Sequence, residues 1–142
     1  MIRNRFFFAS FAMIALAILL MSFVSVDANA QVQIPGVKTK LILQETLSID
    51  DTKEAVISSA EIAPGVTLPR HTHPGDDYTV VLQGKLELIV EGREPRQVSE
   101  GEAFHVPSGL AHYTRVLGDT PVRILAIWLI EKGKPAMQPA PK

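Results

Sequence analysis

The sequence predicts an all-β barrel or sandwich behind an apolar N-terminal leader, and three observations carry that prediction. After residue 30 the chain falls into short runs rich in β-branched residues, separated by Gly, Pro and Asp turn signals. No helical period follows the leader. The last long run, VRILAIWLIE, ending at Glu131, is almost wholly apolar, as a strand buried on both faces must be.

In chain order, residues 1–30 read as a targeting segment, a hydrophobic signal helix. Arg3 and Arg5 give a basic start, Phe6 to Val26 is nearly all apolar, and Ala28-Asn29-Ala30 offers a small-x-small cleavage site before Gln31. The expectation is export, to the periplasm or beyond, with cleavage near Ala30. The apolar run exceeds the usual length of about 7–15 residues, so an uncleaved single-span anchor is the alternative. Residues 31–38 read as a linker broken by Pro35-Gly36, and residues 39–132 as the barrel.

Within the barrel, Lys40 to Ile49 and Ala55 to Ile62 are candidate strands. Thr79 to Gln83 and Lys85 to Val90 flank Gly84 as an expected hairpin, with Leu86, Leu88 and Val90 alternating onto one face. Glu91 to Pro95 is a turn. Ala103 to Val106, Ala111 to Leu117 and Pro121 to Glu131 complete the strands, the last two joined by a tight turn at Gly118-Asp119. Residues 133–142, with Pro135, Pro139 and Pro141, are expected to form a disordered tail.

Composition narrows the function. The 142 residues carry 14 Lys and Arg against 15 Asp and Glu, a balance that suggests neither nucleic acid nor an anionic membrane surface as partner of the mature domain. There is no cysteine, so disulfides, thiol chemistry and a lipid anchor on cysteine are excluded. No Ser-His-Asp spacing, phosphate-cradling loop or dinucleotide fingerprint is present.

Chemistry concentrates in GVTLPRHTHPGDDYTVVLQG, Gly65 to Gly84. On a strand, His71 and His73 share one face with Thr72 on the other, so both imidazoles reach one point. Pro74-Gly75 bends the chain next and brings Asp76 or Asp77 back toward it. His112 lies in a second punctuated segment, GEAFHVPSGLAH from Gly101. Three imidazoles and a carboxylate suit one divalent transition ion such as iron, manganese, nickel, zinc or copper.

This pattern resembles the cupins. Gly65, His71, His73, Asp77 and Gly84 fall on their first motif, with Asp77 where Glu is usual. Gly101, Pro107, Gly109 and His112 fall on the second, with Val116 where Asn is usual. The resemblance covers roughly residues 60 to 131. It implies a double-stranded β-helix, or jelly-roll barrel, with His71, His73, Asp77 and His112 as metal ligands at its mouth, and pairing into a homodimer. The shorter Asp77 arm weakens the fourth ligand more than the site, since three imidazoles suffice for a divalent ion.

Tyr78 and Tyr113 each follow a proposed ligand, and alternation turns them outward; as catalytic groups they are weak candidates, as is His105. Arg70 and Arg115 are solvated charges or forks for a substrate carboxylate. Trp128 is most simply core. Three functional readings follow: a metal-dependent, dioxygenase-like enzyme acting on a small organic molecule, a non-catalytic module holding a sugar or other small ligand, and a metal-free structural barrel.

Overall fold

The computed structural model describes residues 33–141; the leader lies outside the described residues. Among the described residues ten strands follow one another: β1 Val37–Leu47, β2 Asp50–Ile62, β3 His71–Thr72, β4 Gly75–Gln83, β5 Lys85–Val90, β6 Arg96–Ser99, β7 Ala103–Val106, β8 His112–Val116, β9 Val122–Glu131 and β10 Gln138–Pro139. They form two five-stranded sheets, ordered β1-β2-β9-β4-β7 and β10-β3-β8-β5-β6. Every pairing is antiparallel. Among the described residues no helix is long and apolar enough to cross a membrane.

Alternation dictates what lies between the sheets. Asp77, Thr79 and Val81 of β4 are buried and point inward, whereas Tyr78 and Leu82 are exposed. Leu86, Leu88 and Val90 of β5 point inward from the opposite sheet, as their spacing predicts. Together with Ile62, Val98, Phe104, Val106, Val116 and Val122 they make one core cluster. On β9, Ala126 and Trp128 face inward with Ile124 and Ile130, leaving Leu125, Ile127 and Leu129 half-buried on the outer face.

The structure corrects several expectations. Thr79–Gln83 and Lys85–Val90 are not a hairpin: β4 pairs with β7 and β9, and β5 with β6 and β8. The single intervening residue, Gly84, is shorter than the two-residue loop a hairpin needs. It turns the corner between sheets at φ +80°, where a Cβ would lie 2.8 Å from the Pro121 carbonyl oxygen. β6 was not expected, because Arg96–Ser99 is polar apart from Val98; that one side chain is wholly buried and secures the strand beside Leu86. β1 begins at Val37, within the expected linker.

The segment from Gly133, expected as a disordered tail, instead lies along β3. Gln138 and Pro139 pair with Thr72 and His71, and the Ala140 N–H donates to the Arg70 carbonyl. The prolines suit an edge strand, where a missing N–H costs little.

At the start of β4, Gly75 pairs with Ile130 of β9. A Cβ there would sit 2.0 Å from the Leu129 carbonyl oxygen and 2.5 Å from the Ile130 Cα. Backbone cannot yield as a flexible side chain does, so Gly75→Ala forces β4 from β9 two residues before Asp77. The expected loss is about 3 kcal/mol of unfolding free energy in a urea titration. A change below about 0.5 kcal/mol would show that this approach is not tight.

Candidate metal centre

His71 on β3 and His112 on β8 stand directly opposite each other in the register. His73 lies where the chain leaves β3 for the other sheet, and Asp77 reaches in from β4. All four are about 96–97% buried. The imidazole centroids are 4.9 Å apart for His71–His73, 4.3 Å for His71–His112 and 5.1 Å for His73–His112. One ligand nitrogen from each ring lies within 4.8 Å of the others. Asp77 Oδ2 is 3.7 Å from His73 Nε2 and 3.8 Å from His112 Nε2.

The backbone sets which nitrogens these are. His71 Nδ1 donates to the Pro69 carbonyl at 2.7 Å, His112 Nδ1 to the Leu110 carbonyl at 3.0 Å, and His73 Nδ1 to the Ala136 carbonyl. A carbonyl only accepts, so each Nδ1 carries the ring proton and each Nε2 keeps a lone pair. Three lone pairs thus face one another, with the Asp77 carboxylate beside those of His73 and His112, an arrangement that a divalent cation would satisfy. The donor set fits a borderline transition ion.

Burial keeps the imidazoles neutral. It pushes His71 down to about 4, assisted by the nearby His112, and His73 down to about 3; His112 is lowered for the same reason. The same burial raises Asp77 to about 6. The Thr79 hydroxyl, donating to Asp77 Oδ1 at 2.7 Å, opposes that rise, as do His105 and the Trp128 indole N–H beside it. The indole N–H is buried and makes no hydrogen bond of regular geometry.

The cluster forms part of the wall of a cavity of about 480 Å³ between the sheets. That volume suits a small organic molecule. The lining is mostly apolar, including Leu41, Val56, Leu68, Phe104 and Ile124. Trp128, expected in the core, lines this cavity with its ring tilted 31° against His73 at 5.4 Å.

Of the two aspartates that the bend at Pro74-Gly75 left open, only Asp77, the one the cupin resemblance implied, lies beside the imidazoles. Asp76 faces outward and meets His105 Nε2 at 2.7 Å, and Tyr78 stacks on His105 at 4.5 Å. Tyr78 and His105 are therefore away from the cavity, and Tyr113 alternates outward between His112 and Thr114. Arg70 is held by Glu91 and the Pro141 carbonyl, and Arg115 pairs with Glu87 at 2.5 Å. Neither lines the cavity. Sequence reasoning missed Thr79, although its two-residue offset from Asp77 marks a shared face, and missed Ala136, whose carbonyl carries no signature in residue type.

Two antiparallel sheets closing around converging imidazoles define a small β-barrel protein whose three histidines could hold a metal ion. The Cupin domain family matches residues 58–128, half of the chain. The chain belongs to the cupin family. It is similar to the dimethylsulfoniopropionate lyase DddQ of Ruegeria pomeroyi, with 36% identity over 64 residues, 45% of this chain and 31% of that protein. Germin-like protein subfamily 2 member 2 of Arabidopsis thaliana is 30% identical over 128 residues, 87% of this chain and 52% of its own. An uncharacterised double-stranded β-helix protein of Klebsiella pneumoniae superposes with a TM-score of 0.62 over 85% of this chain and 98% of its own, at 17% identity, a likeness of fold alone. The chain spans about half or less of the length of these two curated relatives.

Proposed function

We propose that this chain is a metal-dependent cupin that acts on a small organic molecule held in the cavity, with His71, His73 and His112 as ligands and Asp77 as the fourth. The observation that carries this reading is the convergence of three Nε2 lone pairs whose Nδ1 protons are committed to backbone carbonyls. A bound divalent ion would supply Lewis acidity or, for a redox metal, one-electron chemistry. The chain's own residues hold the imidazoles neutral, orient them through Pro69, Leu110 and Ala136, and wall off water with apolar side chains.

Dioxygenase-like oxidation is the first reaction reading. A lyase reaction stands beside it, because one of the similar proteins is named as a lyase. An oxygen electrode separates them. Turnover of candidate substrates with matching oxygen uptake supports the first, and turnover unchanged under nitrogen supports the second.

The fourth ligand has its own test. Asp77→Ala should weaken metal binding by about 10–100-fold in a competition titration. Asp76→Ala, whose carboxylate faces His105, should leave it unchanged. Equal effects from both would overturn the assignment.

The leader supports export of the mature domain and the outer sheet face supports a homodimer. On that face Tyr78 and Leu82 are exposed beside half-buried Leu125, Ile127 and Leu129. A second copy covering it would account for the apolar character of β9.

A further inference from the structure

The cavity holds a second carboxylate that the metal centre does not use. Glu54 on β2 is 6% exposed and lines the cavity. Its two hydrogen-bond donors are both neutral: Gln44 Nε2 to Oε2 at 3.0 Å, and the Gly133 N–H to Oε1 at 3.2 Å. A carboxylate offers about four acceptor sites, so acceptor capacity is left over. Burying a carboxylate without a cation is costly, and a charged partner would offset that cost. Among the described residues, the one basic side chain lining the cavity apart from the histidines is Lys134, which is exposed and paired with Glu131.

The register fixes where Glu54 stands. Val56, Trp128 and Asp77 lie side by side across β2, β9 and β4, and Glu54 is the next inward residue of β2 from Val56, level with Ile130. Two strand spacings and one inward step put the Glu54 and Asp77 backbones roughly 12 Å apart. A small molecule therefore reaches from the histidine cluster to Glu54 across the apolar wall between them.

We propose that Glu54 is a ligand anchor, selecting molecules that present a protonated amine at one end of a short apolar body, with the other end toward the histidine cluster. The assignment deepens the small-molecule reading above and rests on the cavity as the ligand site, but not on the presence of an ion. It also accounts for a cavity that turns neither Arg70 nor Arg115 toward a ligand carboxylate.

The test is a series of probes of equal length, hexylammonium, 1-hexanol and hexanoate, titrated by NMR into the metal-free chain. Hexylammonium should bind at least about tenfold tighter than hexanoate. Glu54→Gln should reduce that preference to about twofold or less while leaving hexanol binding unchanged. Gln44→Leu, which removes a neutral partner but keeps the carboxylate, should preserve the preference. A purely structural Glu54, holding β1 and Gly133, would lower the melting temperature on substitution without changing the order of the probes. Equal binding of all three, or tighter binding of hexanoate, overturns the anchor while keeping the cavity as a ligand site. No binding by any probe overturns both. Should Glu54→Gln fail to fold, hexylammonium titrated into the parent chain decides by the amides it shifts: largest shifts at Glu54 and Gly133 support the anchor, and largest shifts at Asp77 overturn it.

Discussion

Replacing His71 and His112 together by alanine should lower affinity for divalent transition metal by at least about a thousandfold, because two of three imidazole ligands are gone and each substitution alone removes a whole donor. The effect on the empty protein should be small by comparison. In the metal-free state these rings are buried beside one another and lowered by desolvation, with His112 adding to the lowering of His71, so little native-state stabilisation is lost with them. The truncated side chains open onto an existing cavity instead of leaving a sealed void. The difference should therefore appear only on loading. At a free metal concentration about a thousand times the dissociation constant, the parent gains about 4 kcal/mol and the variant almost nothing. Denaturation with and without added metal measures this directly. A variant stabilised by metal as much as the parent would remove the three-histidine centre from the account.

The second large effect is on pH dependence. Ordinary imidazoles would compete with metal through three protons below about pH 6.5. Here burial places His71 at about 4 and His73 at about 3, with His112 lowered as well, while Asp77 is raised to about 6. Between pH 6 and 5 the Asp77 proton competes while His71 and His73 stay neutral, so apparent affinity should fall by far less than a thousandfold per unit. Asp77→Ala should flatten even that slope. As pH falls through about 4 and then about 3, His71 and His73 should protonate in turn and affinity collapse.

Stability of the metal-free chain moves with pH for the same reason. The lowered imidazoles bind protons in the unfolded chain but not in the folded one, so their contribution is present above the unfolded value of 6.5 and is lost as pH falls toward 4. Asp77 works oppositely: raised from 3.8 to about 6, it binds its proton in the folded state first and offsets one imidazole. The net excess of about one to two protons in the unfolded chain gives a loss of roughly 1–3 kcal/mol per unit of acidification across that window. Urea midpoints at pH 7, 6 and 5 would show it, and a flat profile would contradict the burial of these rings.

The histidine cluster was legible because strand alternation is a strict rule. His71 and His73 converge from their two-residue spacing, and Tyr78 and Tyr113 turn outward beside inward ligands for the same reason. The choice between Asp76 and Asp77 was legible only through the cupin resemblance, which implied Asp77; from alternation alone it was open, since it depends on β4 starting at Gly75 and not at Thr79. The wrong hairpin at Gly84 has a related origin: residues that alternate on both sides of a glycine look alike whether the chain reverses within one sheet or crosses to another. Trp128 was read as core because an apolar strand declares burial but not whether its inner face meets side chains or a cavity. The tail was opaque because its contribution is a backbone carbonyl, that of Ala136, and prolines that suggest disorder equally suit a short edge strand.

The central claim is that three buried, neutral imidazoles hold one ion, and elemental analysis of residues 31–142, purified without chelator or added metal, tests it most directly. The account predicts about one equivalent of a transition metal per chain, absent from the His71→Ala/His112→Ala variant prepared in parallel. A parent that carries no metal and takes up none on reconstitution with iron, manganese, nickel, zinc or copper would contradict it.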